Sequence, residues 1–242
     1  MSITTLFILS LFCFVAAIVQ RVCGFGFGIF IMTMLPYLMP SYGEAVTLSG
    51  LMASVTSSII VARMWRHINW RGLLPILAIF LVVSFFAVQF VARSVDQTLN
   101  IILGVTLIVA SVYFFFFSER IHLKPTATVQ LSMGTLSGIM GGLFGMQGPP
   151  AVLYFLGSTK TKEQYVAMAQ TYFLIGNLCM TVFRARNGCL TAEVGTAWCY
   201  GLVAVLLGTI AGGKLFDRIS TPTLRKIVYA YMGISGVIAL LH

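Results

Sequence analysis

The sequence predicts an all-α polytopic membrane protein made of two inverted repeats. Three observations predict it. First, the 242-residue chain is 59% hydrophobic and 9% charged, against roughly 25% charged residues in a soluble domain. Its apolar runs are membrane-length and fill nearly the whole chain, which excludes a surface-bound amphipathic anchor. Second, two glycine-rich breaks interrupt those runs near the start of each half. Third, the lysines and arginines crowd alternate loops.

Each repeat is expected to hold a broken or re-entrant helix pair followed by three membrane helices, about eight to ten membrane segments in all. In the first half the segments read 3–20, 25–40, 45–62, 72–92 and 98–117. Met1 to Ile18 has no basic leader and reads as a retained first membrane helix. The second segment follows too closely to allow an ordinary loop. The polar stretch from Ser118 to Pro125 divides the halves, giving an N-terminal repeat 1–118, a linker 119–126 and a C-terminal repeat 127–242. The second half reads 127–143, 147–157, 164–183, 194–213 and 222–241.

A shift of 121 positions places Gly24 on Gly145, Leu35 on Leu156, Arg63 on Arg184 and Leu81 on Leu202. The shared spacing of breaks and charges carries this repeat more than the residue identities do. If every segment changes sides or returns in a hairpin, one side holds Arg63, Arg66, Arg71, Arg120, Lys124, Lys160, Lys162, Lys214, Arg218, Arg225 and Lys226. The other side holds Arg93, Arg184 and Arg186. That asymmetry favours an odd number of segments per half, and an odd number inverts the second half. Both termini are then periplasmic. The net charge of +9 is accounted for by such loop anchors, and no nucleic-acid partner is expected.

The breaks are the candidate site. The first is Cys23-Gly24-Phe25-Gly26-Phe27-Gly28, followed by Leu35-Pro36. The second runs from Gly141 to Pro150 through Gly145, Met146, Gln147, Gly148 and Pro149. Unpaired backbone at membrane depth costs several kcal/mol, so a break survives only in protein or against a cavity. A helix that starts there directs unpaired N–H groups and the positive end of its dipole inward. Two such starts would hold an anion without a buried lysine. The expected donors are the backbone around Gly24, Phe25, Gly26, Phe27 and Gly28, and around Gly145, Met146, Gln147 and Gly148. Pro149 and Pro150 suit a helix start because they lack the N–H. By contrast, Gly134, Gly138 and Gly142, and Gly208, Gly212 and Gly213, have the spacing of helix-packing faces.

Polar residues inside apolar runs are costly and usually face an interior. Arg21 precedes the first break and is open to pairing with an anion or reaching to the membrane surface. Gln147 lies in the second break. Ser49 corresponds to Gln170 at the repeat shift, and Thr56 to Asn177. Gln170 and Asn177 are seven apart, on roughly one helical face. Glu44 reads as a helix-start carboxylate. The cysteines show no metal spacing, and no HExxH, GxSxG or paired intramembrane carboxylates occur. No enzyme, cofactor or metal is therefore expected.

At these residues the sequence resembles the TauE/SafE family of sulfite exporters, also called toluene-sulfonate uptake permeases. The likeness covers the whole chain. It rests on the first break with Leu35-Pro36, on Gly145-Met146-Gln147-Gly148-Pro149, and on the basic loop from Arg63 to Trp70. The family often shows three successive glycines where this chain has Gly26-Phe27-Gly28 and Gln147-Gly148-Pro149. The resemblance implies a bacterial inner-membrane permease for sulfite, sulfoacetate or another organosulfonate, and favours export over uptake. Composition and spacing alone reach a transporter of a small, anionic solute. The alternatives are an anion or small-solute channel and a non-transporting membrane subunit. The expected partners are the small anion and the lipid bilayer, and a homodimer is compatible with the sequence.

Overall fold

The computed structural model describes residues 3–117, 125–215 and 221–241. Residues 119–124 of the expected linker lie outside the described residues. Among the described residues the chain is helical, with no strand. The helices are α1 (Ile3–Cys23), α2 (Phe27–Ile31), α3 (Leu35–Leu38), α4 (Tyr42–Met64), α5 (Trp70–Arg93) and α6 (Asp96–Phe117) in the first half. In the second they are α7 (Ala127–Phe144), α8 (Gly148–Ser158), α9 (Lys162–Arg186), α10 (Ala192–Leu215) and α11 (Thr221–Leu241).

Short polar side chains start five of the described helices by capping a free backbone N–H, among them Thr191, which accepts from Val194 at 3.3 Å. Ser41 accepts from the Glu44 amide at 3.3 Å, and Asn69 from that of Gly72 at 3.4 Å. Thr126 accepts from Val129 at 3.3 Å and Thr161 from Gln164 at 3.1 Å. Glu44 is thus the helix-start carboxylate expected of it.

Among the described residues six helices are long and apolar enough to cross a membrane: Ile3–Cys23, Tyr42–His67, Trp70–Arg93, Asp96–Tyr113, Lys162–Arg186 and Ala192–Lys214. This is a multi-pass membrane protein. α7 has the length, but Gln130 and its glycines, serines and threonines dilute its hydropathy.

The early segments of each half fold back as hairpins. Phe30 in α2 returns to Phe12 in α1, with ring centroids 5.9 Å apart. Gln130 in α7 donates to the Tyr154 hydroxyl in α8 at 3.0 Å. The Ser137 hydroxyl donates to the Gln147 carbonyl at 2.6 Å. Each glycine break is therefore the tip of a hairpin. The expected single segment 25–40 divides into α2, a turn and α3, because a four-residue helix restarts at Leu35-Pro36, with proline in its first turn.

The glycine stripes make the long helix contacts. Gly134, Gly138 and Gly142 of α7 lie against Ile79, Val83 and Ala87 of α5. Gly208 and Gly212 of α10 lie against Ala17 and Arg21 of α1. A Cβ at Gly138, Gly142, Gly208 or Gly212 would come within 3.0 Å of its neighbour, so only glycine lets these backbones approach. In both pairs the two helices run the same way. At the centre α4 and α9 run antiparallel, with Ser57 bonded to Gln170 and Gly50 opposite Asn177. α6 and α11 also run antiparallel, Gly104 meeting Gly236 and Leu240.

Candidate functional site

The tips of the two hairpins touch. A Cβ built on Gly28 would lie on the Gly145 carbonyl oxygen, so any side chain there requires the backbone to move. A Cβ on Gly148 would stand 3.2 Å from Phe25 Cβ. Around this junction lies a cavity of about 30 Å³. Its walls include Phe25, Gly26, Phe27 and Gly28 from the first break and Gly145, Met146, Gln147 and Gly148 from the second. Gln20, Ile29, Ala53, Phe173 and Asn177 complete them. Residues some 120 positions apart in the sequence thus share one lining.

The turns explain why glycine is needed. Gly24, Gly26 and Gly145 have φ of 80°, 106° and 68°, a region that costs other residues roughly 1–2 kcal/mol. Gly145 ends α7 in a left-handed (αL) cap. Its own N–H reaches the Gly141 carbonyl at 2.9 Å, and that of Met146 reaches Met140 at 3.2 Å. Those two amides are therefore spent on α7. Pro149 and Pro150 have no N–H, so the donors of the second break narrow to Gln147 and Gly148. In the first break the Gly24 N–H is spent on Gln20 at 2.9 Å. The first turn of α2, from Phe27, supplies the N–H groups with no partner inside the helix.

The sequence-predicted residues sort as follows. Gly24 is not in the cavity wall. Its carbonyl accepts from Gln170 Nε2 at 2.8 Å, which closes the end of α1. Pro149 lines a different, apolar cavity with Pro150, Leu153 and residues of α6 and α7. Ser49 is buried beside the junction, its Oγ 3.5 Å from a Cβ position on Gly145 and 3.6 Å from one on Gly28. Among the described residues Ser49 Oγ and Gln147 Oε1 have no hydrogen-bond partner. Gln147 donates its amide to the Phe173 carbonyl at 3.2 Å. Asn177 lines the cavity.

Gln170 and Arg21 face a second, larger cavity of about 410 Å³. Gln20 lines both spaces. Between them stands a polar cluster drawn from α1, α4 and α9. Gln20 Nε2 donates to Ser57 Oγ at 3.1 Å, and Ser57 Oγ donates to Gln170 Oε1 at 2.9 Å. Arg21 and Lys162 bring two positive charges to the larger cavity's lining and Glu163 one negative charge, so it is basic on balance. Met64, at the start of the basic Arg63–Trp70 loop, also lines it.

Sequence reasoning missed Gln20 and, above all, Arg184. Arg184 was expected in a loop just beyond the third segment of the second half, 164–183. It lies inside α9 instead, 1% exposed. Its Nη2 donates to the carbonyls of Gly141 at 3.0 Å and Gly142 at 3.2 Å. The chain therefore holds a deeply buried cation against the end of α7. The seven-residue spacing from Gln170 to Asn177, extended once more, would have found it.

The family model for the sulfite exporter TauE/SafE matches residues 9–238. The chain belongs to the TauE/SafE family. Among its relatives is a probable sulfite/organosulfonate exporter TauE of Cupriavidus necator, 23% identical over 88% of this chain and 85% of that protein. A probable membrane transporter protein of Methanocaldococcus jannaschii is 23% identical over 94% of this chain and 92% of its own length. No solved structure matches. By its family this chain is a membrane transporter.

Proposed function

We propose that the protein is a secondary transporter for a small anion in the class of sulfite, sulfoacetate and other organosulfonates, working in a bacterial inner membrane in the direction of export. The observation that carries this reading is the contact of the two break tips, Gly28 on Gly145, around one cavity. Backbone N–H groups from Phe27, Gly28, Gln147 and Gly148 would hold the oxyanion there. Such donors favour anions and cost little selectivity among oxyanions of similar size. The name of the Cupriavidus relative supports the sulfur-oxyanion class.

The halves act as inverted repeats in this reading, with both termini periplasmic. The antiparallel run of α4 and α9 supports it. The basic larger cavity is then the cytoplasmic entrance, and the Gln20–Ser57–Gln170 cluster is the passage to the site. The small cavity has room for about one or two waters. Taking a sulfonate head group therefore requires the hairpins to part. An anion leaving a negative-inside cell is driven by roughly 2.3 kcal/mol per charge per 100 mV, so export needs no coupled cation.

The test is flux of sulfite and sulfoacetate in proteoliposomes. Saturable flux in the unmodified protein, lost in Gly148→Leu with membrane insertion retained, is the expected result. Full flux in Gly148→Leu would sink the assignment of the site. Flux that rises linearly without saturation would make the protein a channel. A thermal-shift screen in which sulfite, sulfoacetate, taurine and dicarboxylates all fail to stabilise it would point to a non-transporting subunit.

A further inference from the structure

Arg184 has an unusual set of partners for a buried cation. Lys and Arg are almost never fully buried without an opposing charge. Yet its partners among the described residues are all uncharged. They are the carbonyls of Val46, Gly141 and Gly142 and the Met180 sulfur. Its Nε has no partner. The local structure uses the guanidinium to close the end of α7, which a neutral donor would do equally well. Gln170 does that for α1 through the Gly24 carbonyl. A full positive charge is more than this task needs.

Its position supplies a second task. Gln170, Asn177 and Arg184 recur every seventh residue along α9 and are all buried. Gln170 faces the larger cavity and Asn177 lines the small one. Arg184 continues the line past the small cavity, on the side away from the larger one. Arg184 Nη1 and Asn177 Oδ1 both stand 3.6 Å from a Cβ position on Gly50. The arginine is thus next to the cavity wall, with a glycine leaving space between them. The end of α7 also carries partial negative charge that would repel an anion held at the second break. The guanidinium cancels it.

Resting on the anion-transport reading, we infer that Arg184 is the fixed counter-charge of the anion pathway, a specificity-determining residue that favours doubly over singly charged oxyanions. It offsets the negative end of α7 while the anion sits between the hairpin tips. It is then the next positive group the anion meets on the far side of the cavity.

The test uses two probes, methanesulfonate with one negative charge and sulfoacetate with two at neutral pH. Binding is measured by calorimetry on the full chain in lipid nanodiscs. The variants are Arg184→Lys and Arg184→Met. Arg184→Lys keeps the charge and N–H donors, and Arg184→Met removes both. Coulomb energy scales with the product of the charges. If Arg184→Met weakens methanesulfonate on the order of tenfold, sulfoacetate falls on the order of a hundredfold, and Arg184→Lys preserves the preference between them. Equal losses for both probes in Arg184→Met, or the same preference in the Lys and Met variants, would reduce Arg184 to a helix cap. Should Arg184→Met fail to fold, Arg184→Gln takes its place, because its amide can still donate to the Gly141 carbonyl. Binding of neither probe to the unmodified protein overturns the anion reading itself, and this assignment with it.

Discussion

The two breaks line one cavity and are built by different means. The first turns on two left-handed glycines, Gly24 and Gly26, and continues into the five-residue α2. Its preceding helix is closed by the neutral amide of Gln170. The second turns on one left-handed glycine, Gly145, which caps α7, and continues into the eleven-residue α8. Its preceding helix is closed by a buried guanidinium. A five-residue helix barely repays its own nucleation. The first hairpin is therefore the part expected to give way when the cavity opens, and the second is the fixed wall that carries the charge.

The largest effect is expected where the two meet. Gly28→Val sets its Cβ on the Gly145 carbonyl, which is backbone and cannot rotate aside. Overpacking of this kind costs about 3 kcal/mol or more. Transport should be lost and the thermal midpoint should drop. Gly148→Ala, whose Cβ meets Phe25 at 3.2 Å and 3.4 Å, should keep most of its stability and part of its flux. Equal behaviour of the two variants would mean that the hairpin tips do not touch.

Gln170→Leu comes next. It strips the Gly24 carbonyl of its donor and Ser57 of its acceptor. Each buried group left unpaired costs about 1–3 kcal/mol. The first hairpin should loosen, seen as faster hydrogen exchange at residues 24–31, while residues 145–158 stay protected. Equal loosening of both hairpins would erase the distinction drawn between them.

What was legible follows the same division. Glycines with no helical spacing, as in Gly24-Phe25-Gly26-Phe27-Gly28, announce a turn from local rules, and glycines at spacing four announce a packed face. Both readings needed only neighbouring residues. Gln20 was illegible because its role depends on Ser57 and Gln170, 37 and 150 residues away. Arg184 lay on the legible seven-residue line from Gln170 through Asn177, but its burial did not show, because its partners are backbone carbonyls, which leave no mark in a sequence. A carboxylate at matching spacing would have flagged it. Pro149 shows the converse limit, since being next to Gly148 in sequence did not place it in the same cavity.

A smaller effect separates the two kinds of glycine turn. Gly145, with φ 68° and ψ 19°, sits close to the left-handed well that asparagine tolerates. Its Cβ position meets Val46 at 3.4 Å and Ser49 at 3.5 Å, ordinary contacts. Gly145→Asn should cost about 1 kcal/mol or less in stability. Gly26, with φ 106° and ψ 0°, lies outside that well, and its Cβ position meets Val19 at 3.3 Å. Gly26→Asn should cost about 1–3 kcal/mol. Denaturation midpoints of the pair in one detergent would decide it, and the reverse order would contradict the turn geometry.

The smallest stability change should come with a clear loss of binding. Thr47, Ser54 and Ser58 of α4, and Thr171 and Thr181 of α9, spend their hydroxyls on carbonyls one helical turn back. Ser49 does not. Its Oγ is buried beside both break tips and has no partner among the described residues. Deleting an unpaired buried hydroxyl should leave stability unchanged or slightly raised, since no native bond is lost. A hydroxyl kept free next to the cavity can still donate to an oxyanion, and such a bond is worth about 0.5–1.5 kcal/mol. Ser49→Ala should thus retain its thermal midpoint while sulfoacetate binding weakens roughly two- to tenfold. Ser54→Ala, which loses a bond to its own helix at Gly50, should leave sulfoacetate affinity where it was. If both serines behave alike in calorimetry, Ser49 is helix surface and the oxyanion is held by backbone alone.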